Sequence, residues 1–386
     1  MEPAGFSLRK PERTSPTEVS SGLVYRSCAR RAGRAPARLR PRCARLAGMR
    51  DFDPPRWLRG GHRMTIYAWA RRRSLPGLPP AEARVFELDA ETRVLAHCHW
   101  QAAPGTRPTL VALHGLEGSS EAHYMRGIAD KAFRRGFNVV RLNQRNCGGT
   151  EHLSAGLYHS GLTGDVHGVL ERLAADGLPS IVVSGYSLGG NLALRLAGTY
   201  GDTPPPWLHA VCAVSPTLEL GACMALLERP ANRLYEWNFM QSLQRRMRKK
   251  ARLFPGRYDV RGIWRLWSIR EFDDRYTAPH NGFAGAADYY YRAAAMRVVD
   301  RIRVPALVIT AEDDPFIALP PFRDPKVTGN PAVTVVITRH GGHCGFIEAA
   351  RDGYDGYWAE REIVDFAARH VPLRLLTAGD GARVQA

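Results

Sequence analysis

A short apolar run ends abruptly in a turn of small residues in the stretch Ser180-Ile181-Val182-Val183-Ser184-Gly185-Tyr186-Ser187-Leu188-Gly189-Gly190-Asn191. The β-branched run predicts a buried strand, and the helix formers after Asn191 predict a helix, so Ser187 lies where one becomes the other. Gly185 and Gly189 complete the G-x-S-x-G pattern of a nucleophile elbow, a turn that flanking side chains would obstruct. Alone, the pattern is equally compatible with an ordinary strand-to-helix turn.

Predicted strands and helices alternate on both sides of this turn. Two runs, 84–88 and 92–100, predict an antiparallel hairpin at the edge of a sheet. Further strands are predicted at 109–113, 137–142, 180–186, 208–214, 304–310 and 332–338, and helices at 122–135, 162–175, after Ser187 and at 357–370. This β-α-β alternation indicates an α/β fold with an eight-stranded, mostly parallel sheet and helices on both of its faces.

Two regions depart from the alternation. Residues from about 220 to 300 carry helical segments at 232–250 and 284–296 but no buried strand. This pattern predicts a helical cap inserted into a domain of residues 49–386. Residues 52–69 are expected to form a loop that packs on the core.

The composition is that of a globular protein. Hydrophobic residues make up 45% of the 386, and no uninterrupted apolar run is long enough to predict a membrane span. The seven cysteines are spread singly, with no C-x-x-C pair and no zinc-like spacing, which favours a reducing, cytoplasmic compartment. We expect neither a metal nor an organic cofactor.

The net charge of +17 is distributed unevenly. Residues 1–50 hold 12 Lys and Arg against three Glu, which argues against a nucleic-acid-binding surface on the folded part. Residues 1–48 lack hydrophobic periodicity and are expected to be a basic, disordered extension. A basic tail, a transit-like targeting peptide and an upstream extension before a natural start at Met49 are the alternatives. The last is favoured because the composition changes sharply there.

The partners of Ser187 are sought where other strands end, because ligands of open parallel sheets bind outside the carboxyl ends of the strands. One predicted strand is followed by Ala311-Glu312-Asp313-Asp314-Pro315-Phe316, and another by His340-Gly341-Gly342-His343-Cys344-Gly345-Phe346. The resulting order of nucleophile, acid and histidine is that of an α/β-hydrolase.

The chemistry requires both partners, since a serine hydroxyl is a weak nucleophile near neutral pH and needs a base that an acid orients. Asp314 is favoured as the acid from its offset after the strand, with Glu312 and Asp313 as the alternatives. In this interpretation Asp313 is a turn or cap residue.

The base is one of two histidines. His343 is favoured over His340 because Gly341-Gly342 lets the loop fold back towards the elbow. Cys344 lies beside it, but a single cysteine without a second base is interpreted as a small buried residue.

An oxyanion hole is predicted in the glycine-containing run Leu113-His114-Gly115-Leu116-Glu117-Gly118-Ser119-Ser120, which follows the first parallel strand. The backbone N–H groups of Leu116 and Leu188 are the candidate donors. The run lacks the G-x-x-x-x-G-K-S/T pattern of a P-loop.

These motifs together resemble the YheT-like group of α/β-hydrolase esterases, which is related to eukaryotic lipid-acting α/β-hydrolases. The resemblance runs from about 52 to 370, and Asn146 departs from it where the group more often has a small residue. Besides the elbow, aspartate and histidine motifs it includes Trp57-Leu58-Arg59-Gly60-Gly61-His62, His114-Gly115-Leu116-Glu117-Gly118-Ser119-Ser120, Arg145-Asn146-Cys147-Gly148-Gly149-Thr150, Tyr158-His159-Ser160-Gly161 and Arg270-Glu271-Phe272-Asp273-Asp274-Arg275-Tyr276-Thr277-Ala278-Pro279. It implies hydrolysis of carboxylic esters with short- to medium-chain acyl groups, or of lipid esters.

Several motifs also have structural interpretations. The run 145–150 is compatible with a tight turn, and 272–276 is expected to anchor the cap to the body. His159 and Asp165 either line the site or make structural hydrogen bonds, and the structural role is favoured. The basic run 245–252 is interpreted first as a solvated helix face. The alternative is that it draws the cap towards anionic lipid at the inner face of a membrane.

The sequence thus predicts a serine hydrolase that forms an acyl-enzyme through Ser187 with Asp314 and His343, acting on a small-molecule ester or lipid. An acyltransferase would use the same residues with an alcohol as acceptor. A membrane or nucleic-acid binding protein without catalysis ranks lower, since it would keep its function after Ser187→Ala.

Overall fold

The computed structural model describes residues 49–351, 353–372 and 374–377, and the predicted extension of residues 1–48 lies outside these ranges. One eight-stranded sheet forms the centre of the described part. Its strands are β1 (Glu82–Asp89), β2 (Thr92–His99), β3 (Thr109–Leu113), β4 (Asn138–Leu142), β5 (Ile181–Tyr186), β6 (Leu208–Val214), β7 (Ala306–Ala311) and β8 (Val333–Thr338).

The strands lie in the order β1-β2-β4-β3-β5-β6-β7-β8. The β1–β2 hairpin and the β2–β4 pair are antiparallel, and the pairs from β4 to β8 are parallel. The predicted hairpin at the edge and the mostly parallel sheet are therefore confirmed. Because these strands are parallel, the carboxyl ends of β3, β5, β7 and β8, which precede the candidate site residues, all lie on the same side of the sheet.

Helices cover both faces of the sheet and form the cap. They are α1 (Gly61–Ala70), α2 (His123–Arg134), α3 (Thr163–Ala175), α4 (Leu188–Tyr200), α5 (Leu220–Leu227), α6 (Arg233–Leu253), α7 (Ile269–Phe272), α8 (Ala278–His280), α9 (Ala286–Ala293), α10 (Pro325–Thr328), α11 (Trp358–His370) and α12 (Arg374–Thr377). One π-helical segment, Asp273–Thr277, joins α7 to α8.

Two apolar layers hold the helices on the sheet. On one face, α3 and α4 contribute buried side chains such as Val169 and Leu194, and on the other α2 and α11 contribute Ile128 and Ile363. The whole of β3 is buried, which agrees with its continuous apolar sequence. Such a strand packs against helices on both sides and forms the rigid base of the site.

The segment before β1 differs from the prediction. Residues 61–70 form helix α1 rather than a loop, and its buried residues Met64 and Ala68 lie one turn apart on the face that meets Ile347 and Tyr357. The prediction was wrong because the helix begins at Gly60-Gly61, where no usual capping residue marks a start.

The inserted region between β6 and β7 contains α5 to α9 and no strand, in agreement with the predicted cap. The longest of its helices is α6, whose 21 residues carry the basic run. Within the described ranges, no helix combines the length and the apolar character that crossing a membrane requires.

Candidate active site

Ser187 occupies a sharp turn between β5 and α4. Its φ of 54° and ψ of −118° are rare for a residue with a side chain. The turn is held by the Ser187 N–H, which donates to the carbonyl oxygen of Val214 at 2.9 Å. A Cβ on Gly185 would lie 2.0 Å from the carbonyl oxygen of Gly189, so the turn has no room for a side chain there. The structure thus gives Ser187 the strand-to-helix geometry expected of an elbow.

Asp314 and His343 meet beyond the carboxyl ends of β7 and β8. Nδ1 of His343 lies 3.0 Å from Oδ2 of Asp314 and 3.1 Å from Oδ1. The Asp314 side chain is fully buried, and its Oδ1 also accepts hydrogen bonds from the N–H groups of Phe316 and Ile317. These bonds fix the carboxylate, which then holds the proton of the neutral imidazole on Nδ1 and leaves Nε2 as the basic nitrogen.

Burial and charge act in opposite directions on His343. Burial disfavours the imidazolium, but the negative charge of Asp314, its hydrogen bond and the neighbouring Cys344 side chain outweigh this effect. The pKa of His343 is therefore raised well above its ordinary value of 6.5. A ring in this state acts as a base only once the pH is high enough to remove the added proton.

The alternative acid and base pair with each other. Nδ1 of His340 lies 3.1 Å from Oδ2 of Asp313, and Oδ1 of Asp313 accepts a hydrogen bond from the N–H of Gly342 at 2.9 Å. This pair joins the loop after β7 to the loop after β8. The third alternative, Glu312, forms an ion pair with Arg323 near the surface. Of the three candidate carboxylates, Asp314 is therefore the one in contact with His343.

Helix α1 supports the histidine loop from the other side. The N–H of His343 donates to Oγ1 of Thr65 at 2.8 Å, and the same hydroxyl donates to the carbonyl oxygen of Gly61 at 2.7 Å. A Cβ on Gly342 would lie 2.6 Å from that carbonyl oxygen. Sequence reasoning missed this role, although Gly60-Gly61 in the motif before α1 is the signal of a close backbone approach.

The loop after β3 lies beside Ser187, because a Cβ on Gly115 would meet Cβ of Ser187 at 3.1 Å. Two tyrosine hydroxyls fix the amides that flank Leu116. The N–H of Gly115 donates to Tyr124 at 3.0 Å, and the N–H of Glu117 donates to Tyr158 at 3.1 Å. Leu116 and Leu188, the predicted oxyanion donors, line the same cavity as Ser187.

One cavity of about 100 Å³ joins the serine and the histidine. Most of its wall is apolar and comes from the cap as well as from the body. The residues that line it include Leu116, Leu157, Tyr158, Ser187, Leu188, Leu220, Cys223, Met224, Leu227, Phe239, Leu243, Arg246, Met247, Phe316 and His343. This cavity can hold an apolar chain with its reacting group at Ser187.

Arg246 is a charged residue in the apolar wall, and it pairs with Glu117. Nη1 of Arg246 lies 2.6 Å from Oε1 of Glu117, and the two side chains are 10% and 6% exposed. Tyr158 donates a hydrogen bond to the Glu117 carboxylate at 3.0 Å, and the Arg246 guanidinium lies over the Tyr158 ring. Burial raises the pKa of Glu117 and the charge of Arg246 opposes that shift. The pair joins the cap helix α6 to the loop of Leu116.

The basic run of α6 is therefore not simply a solvated face. Besides Arg246, Lys249 pairs with Glu151 at 2.6 Å. Lys250 is fully buried and donates hydrogen bonds to the side chain of Asn146 at 3.1 Å and to the carbonyl oxygen of Ser154. The prediction was wrong for Arg246 and Lys250, because their partners come from distant parts of the chain, whereas the Lys249 side chain is still 44% exposed. Arg245, Arg248 and Arg252 are the exposed members of the run.

Asp165 and His159 have different roles. Asp165 forms a nearly buried ion pair with Arg145 at 2.6 Å, which is the structural role favoured from the sequence. His159 accepts a hydrogen bond from the N–H of Gly161 at 3.2 Å and also lines the cavity. Burial and two nearby arginines lower its pKa to about 4, so the ring is neutral.

The segment expected to anchor the cap makes its hydrogen bonds within the cap. Tyr290 donates to Oδ2 of Asp273 at 2.7 Å, and the hydroxyl of Tyr276 donates to the carbonyl oxygen of Asp259. Asp273 and Tyr290 also line the cavity, and burial raises the pKa of Asp273 to about 6. Among the described residues, no cluster of His, Cys, Asp and Glu is arranged to hold a metal.

Cys344 is half-buried beside the histidine, and its N–H donates to Oγ of Ser215 at 3.2 Å. The other described cysteines, 98, 147, 212 and 223, are buried and free. Cys28 and Cys43 lie outside the described residues.

Comparison with known proteins identifies the fold family. Residues 108–350 match the family described as alpha/beta hydrolase fold. The chain is 33% identical over 325 residues to the Escherichia coli (strain K12) protein named "Putative esterase YheT", covering 83% of this chain and 94% of that protein.

Two further comparisons are more distant. Mouse phospholipase ABHD3 is 32% identical over 246 residues, which is 63% of this chain and 59% of the phospholipase. The solved esterase Pf2001 of Pyrococcus furiosus shares 15% identity with a TM-score of 0.51, covering 78% of this chain and 98% of that one, and this likeness concerns the fold alone. From the family match, the extended similarity to the E. coli protein and the sheet described above, the chain belongs to the α/β-hydrolase fold family.

Proposed function

We propose that this chain is a carboxylic ester hydrolase in which Ser187 is the nucleophile, His343 the general base and Asp314 the acid that orients it. The backbone N–H groups of Leu116 and Leu188 stabilise the oxyanion. The reaction class agrees with the family and with relatives that are named as esterase and phospholipase.

One observation carries the assignment. Ser187 sits in a strained turn and lines the same cavity as His343, whose ring is held by the buried carboxylate of Asp314 at 3.0 Å. Backbone strain at a buried turn persists only where the surrounding structure enforces it, and it clusters at reactive positions. Asp313 and His340 make their own pair, which leaves Asp314 as the carboxylate in contact with His343.

The first half of the reaction transfers the acyl group to the enzyme. Oγ of Ser187 attacks the ester carbonyl carbon while Nε2 of His343 takes the hydroxyl proton. The carbonyl electron pair moves to oxygen, where the two N–H groups stabilise it. The tetrahedral intermediate then breaks its bond to the alcohol oxygen, which receives the proton from Nε2 and leaves as the alcohol.

The second half returns the serine. Nε2 of His343 takes a proton from water, and the resulting hydroxide attacks the acyl carbon. The new tetrahedral intermediate breaks its bond to Oγ of Ser187, which receives that proton from Nε2. The acid product leaves, and throughout both halves Asp314 stabilises the imidazolium without taking its proton.

The substrate class follows from the cavity. About half of its lining residues are Leu, Met or Phe, and many of them belong to α5 and α6 of the cap, residues about 220–300. An apolar acyl chain gains free energy by leaving water for such a site, at roughly 0.8 kcal/mol per buried methylene. We therefore propose an ester or lipid with an apolar acyl chain as the substrate.

Covalent labelling tests the proposal directly. A fluorophosphonate, which reacts with an activated serine, is expected to label the wild-type chain and not Ser187→Ala. Ser184→Ala is the matched control, since Ser184 lies on β5 three residues before Ser187 and is fully buried. Equal labelling of Ser187→Ala and the wild type, or no labelling of either, would refute the assignment.

A further inference from the structure

The outer side of the cap exposes a group of large apolar side chains. Leu234 and Trp237 on the first turns of α6 are 81% and 55% exposed, and Trp264 and Trp267 in the segment before α7 are 64% and 75% exposed. Single exposed hydrophobic residues are normal, but a group of this size in one region marks an interaction site. We call these four residues the tryptophan surface.

Two hydrogen bonds place the segment before α7 along α6. Nε2 of Gln244 donates to the carbonyl oxygen of Leu266 at 3.0 Å, and the N–H of Ile269 donates to Oε1 of Glu236 at 3.3 Å. The segment 266–269 therefore runs along α6 in the opposite direction. As a result, Trp267 lies beside the part of α6 that carries Trp237.

The charge around the tryptophan surface is positive. Exposed arginines occur at Arg233 before Leu234 and at Arg265 next to Trp264, whose ring centroid lies 4.9 Å from the Arg265 guanidinium carbon. The exposed side of α6 continues with Arg245, Arg248 and Arg252.

The neighbouring acidic groups are engaged within the cap. Glu228 pairs with Arg270 at 2.7 Å, and the carboxylate of Glu271 accepts hydrogen bonds from the N–H groups of Trp267 and Ser268. Arg270 thus neutralises Glu228, whereas Glu271 remains an exposed negative charge next to Trp267, and with Arg233 and Arg265 nearby the balance of charge stays positive. The surface combines exposed indole rings with basic groups.

This surface lies close to the cavity. Tyr235, next to Leu234, packs its ring 4.7 Å from that of Phe316, and Phe316 packs at the same distance from the ring of His343. On the inner side of α6, Phe239 and Leu243 line the cavity. One helix thus carries the tryptophan surface outside and part of the cavity wall inside.

We propose that the tryptophan surface, with Arg233 and Arg265, seats the cap on the interface of an anionic phospholipid bilayer. Indole rings prefer the headgroup level of a bilayer, where the apolar ring is sheltered and the N–H stays hydrated. Arginines near them are attracted to anionic headgroups. A second copy of this chain is a poorer occupant, because two such positive surfaces repel each other. The binding goes beyond the proposed catalysis and does not require it.

Quenching of tryptophan fluorescence by brominated lipid tests the proposal directly, with the full-length chain. Vesicles of phosphatidylcholine and phosphatidylglycerol that contain brominated phosphatidylcholine are expected to quench part of the tryptophan emission. That quenching should disappear in Trp237→Phe/Trp264→Phe/Trp267→Phe, which keeps the apolar surface but removes the three indoles. Absence of quenching in the wild type, or equal quenching of the remaining tryptophans in the triple variant, would overturn the proposal.

Cosedimentation with the same vesicles separates the contributions to binding. Replacing the three tryptophans by Ser is expected to weaken binding, whereas the Phe variant retains it. Arg233→Gln/Arg265→Gln should weaken it by about 30-fold, since each arginine contributes about fivefold near an anionic surface. The matched control is Arg135→Gln/Arg172→Gln, two exposed arginines at helix ends that lead into β4 and β5, at the opposite edge of the sheet.

Hydrolysis of a water-soluble ester should be the same in all these variants, which shows that they fold. Two results contradict the proposal: binding by the Ser variant equal to that of the wild type, or binding lost equally in the control pair. A change of oligomeric mass in the Ser variant, with unchanged vesicle binding, would assign the surface to self-association instead and would also overturn the proposal. Loss of labelling at Ser187 with vesicle binding intact would refute only the proposed catalysis.

Discussion

The guanidinium of Arg246 lies 2.6 Å from the carboxylate of Glu117, and this ion pair joins the cap to the loop that carries Leu116. Both charges are almost fully removed from water, so each depends on the other for compensation. The backbone of Glu117 has a φ of 55°, and its N–H is bound to Tyr158. The pair therefore holds the conformation of the loop next to Ser187.

Removing one partner should expose this dependence. Arg246→Met is expected to lower the free energy of unfolding by about 3 kcal/mol, because it leaves the Glu117 carboxylate buried without its counter-ion. Glu117→Gln/Arg246→Met should recover most of the loss, since neither charge remains. Urea denaturation measures the free energy of unfolding of both variants. The control is Arg245→Gln on the exposed side of α6, whose free energy of unfolding should stay within about 0.5 kcal/mol of the wild type. A double variant no more stable than Arg246→Met would contradict this interpretation.

The pH dependence of catalysis should report the His343–Asp314 contact. The base must be neutral to act, and the carboxylate raises the pKa of His343 above 6.5 despite burial. The rate constant kcat/KM is therefore expected to rise with pH and to reach half its maximum above pH 6.5. Asp314→Asn removes the raising charge while burial still acts, so the residual activity should have a lower midpoint. A midpoint that does not move in Asp314→Asn would rule out this coupling.

The fold was predictable from the sequence where periodicity and burial agree. Strand β3 has the bounds that its continuous apolar run predicted, and β6 likewise. Helix α1 was not predicted, because the start at Gly60-Gly61 hides a short helix whose stability comes from packing against Ile347 and Tyr357. Propensity carries no information about such a partner, which lies almost three hundred residues further along the chain.

The placement of the candidate site was predictable where its residues follow strands. Ser187, Asp314 and His343 each come after a strand of a parallel sheet, and the topology brings such ends together. The Glu117–Arg246 pair was not predictable, because Arg246 looks like any other member of a basic run until its contact is known. Sequence patterns give the side of a helix, whereas the partner of a buried charge depends on tertiary packing.

The two adjacent aspartates after β7 should differ sharply in their effect on catalysis. Asp314→Ala is expected to lower kcat by about 10⁴-fold, because the imidazole loses its orientation and the charge that stabilises its protonated form. Asp313→Ala removes two contacts that position the loop, to His340 and to the N–H of Gly342. Each contact contributes about 1 kcal/mol, so kcat of Asp313→Ala should fall by no more than about 30-fold.

Steady-state kinetics of both aspartate variants, with pH profiles, make this comparison. The profile of Asp313→Ala should keep the midpoint of the wild type, since the charge next to His343 is unchanged. If Asp313→Ala were the more damaging variant, or moved the midpoint as Asp314→Asn is expected to do, Asp313 would be the acid instead.

The support that α1 gives to the histidine loop leads to the most specific prediction. Oγ1 of Thr65 accepts the hydrogen bond of the His343 N–H at 2.8 Å, and valine has the same shape as threonine without this acceptor. Thr65→Val should leave that N–H unpaired and lower the free energy of unfolding by about 1–3 kcal/mol. Because the loop then shifts relative to Ser187, kcat should fall while KM changes little.

Thr65→Ser keeps the hydroxyl and is the matched control for Thr65→Val. Its kcat should lie close to that of the wild type, since the bonds to His343 and Gly61 need only the oxygen. Kinetics and urea denaturation of the two variants separate the hydrogen bond from the methyl group. Serine keeps the hydroxyl that accepts the His343 N–H, and valine lacks it. Equal kcat values for Thr65→Val and Thr65→Ser would therefore mean that this hydrogen bond is not needed and that α1 supports the loop through packing alone.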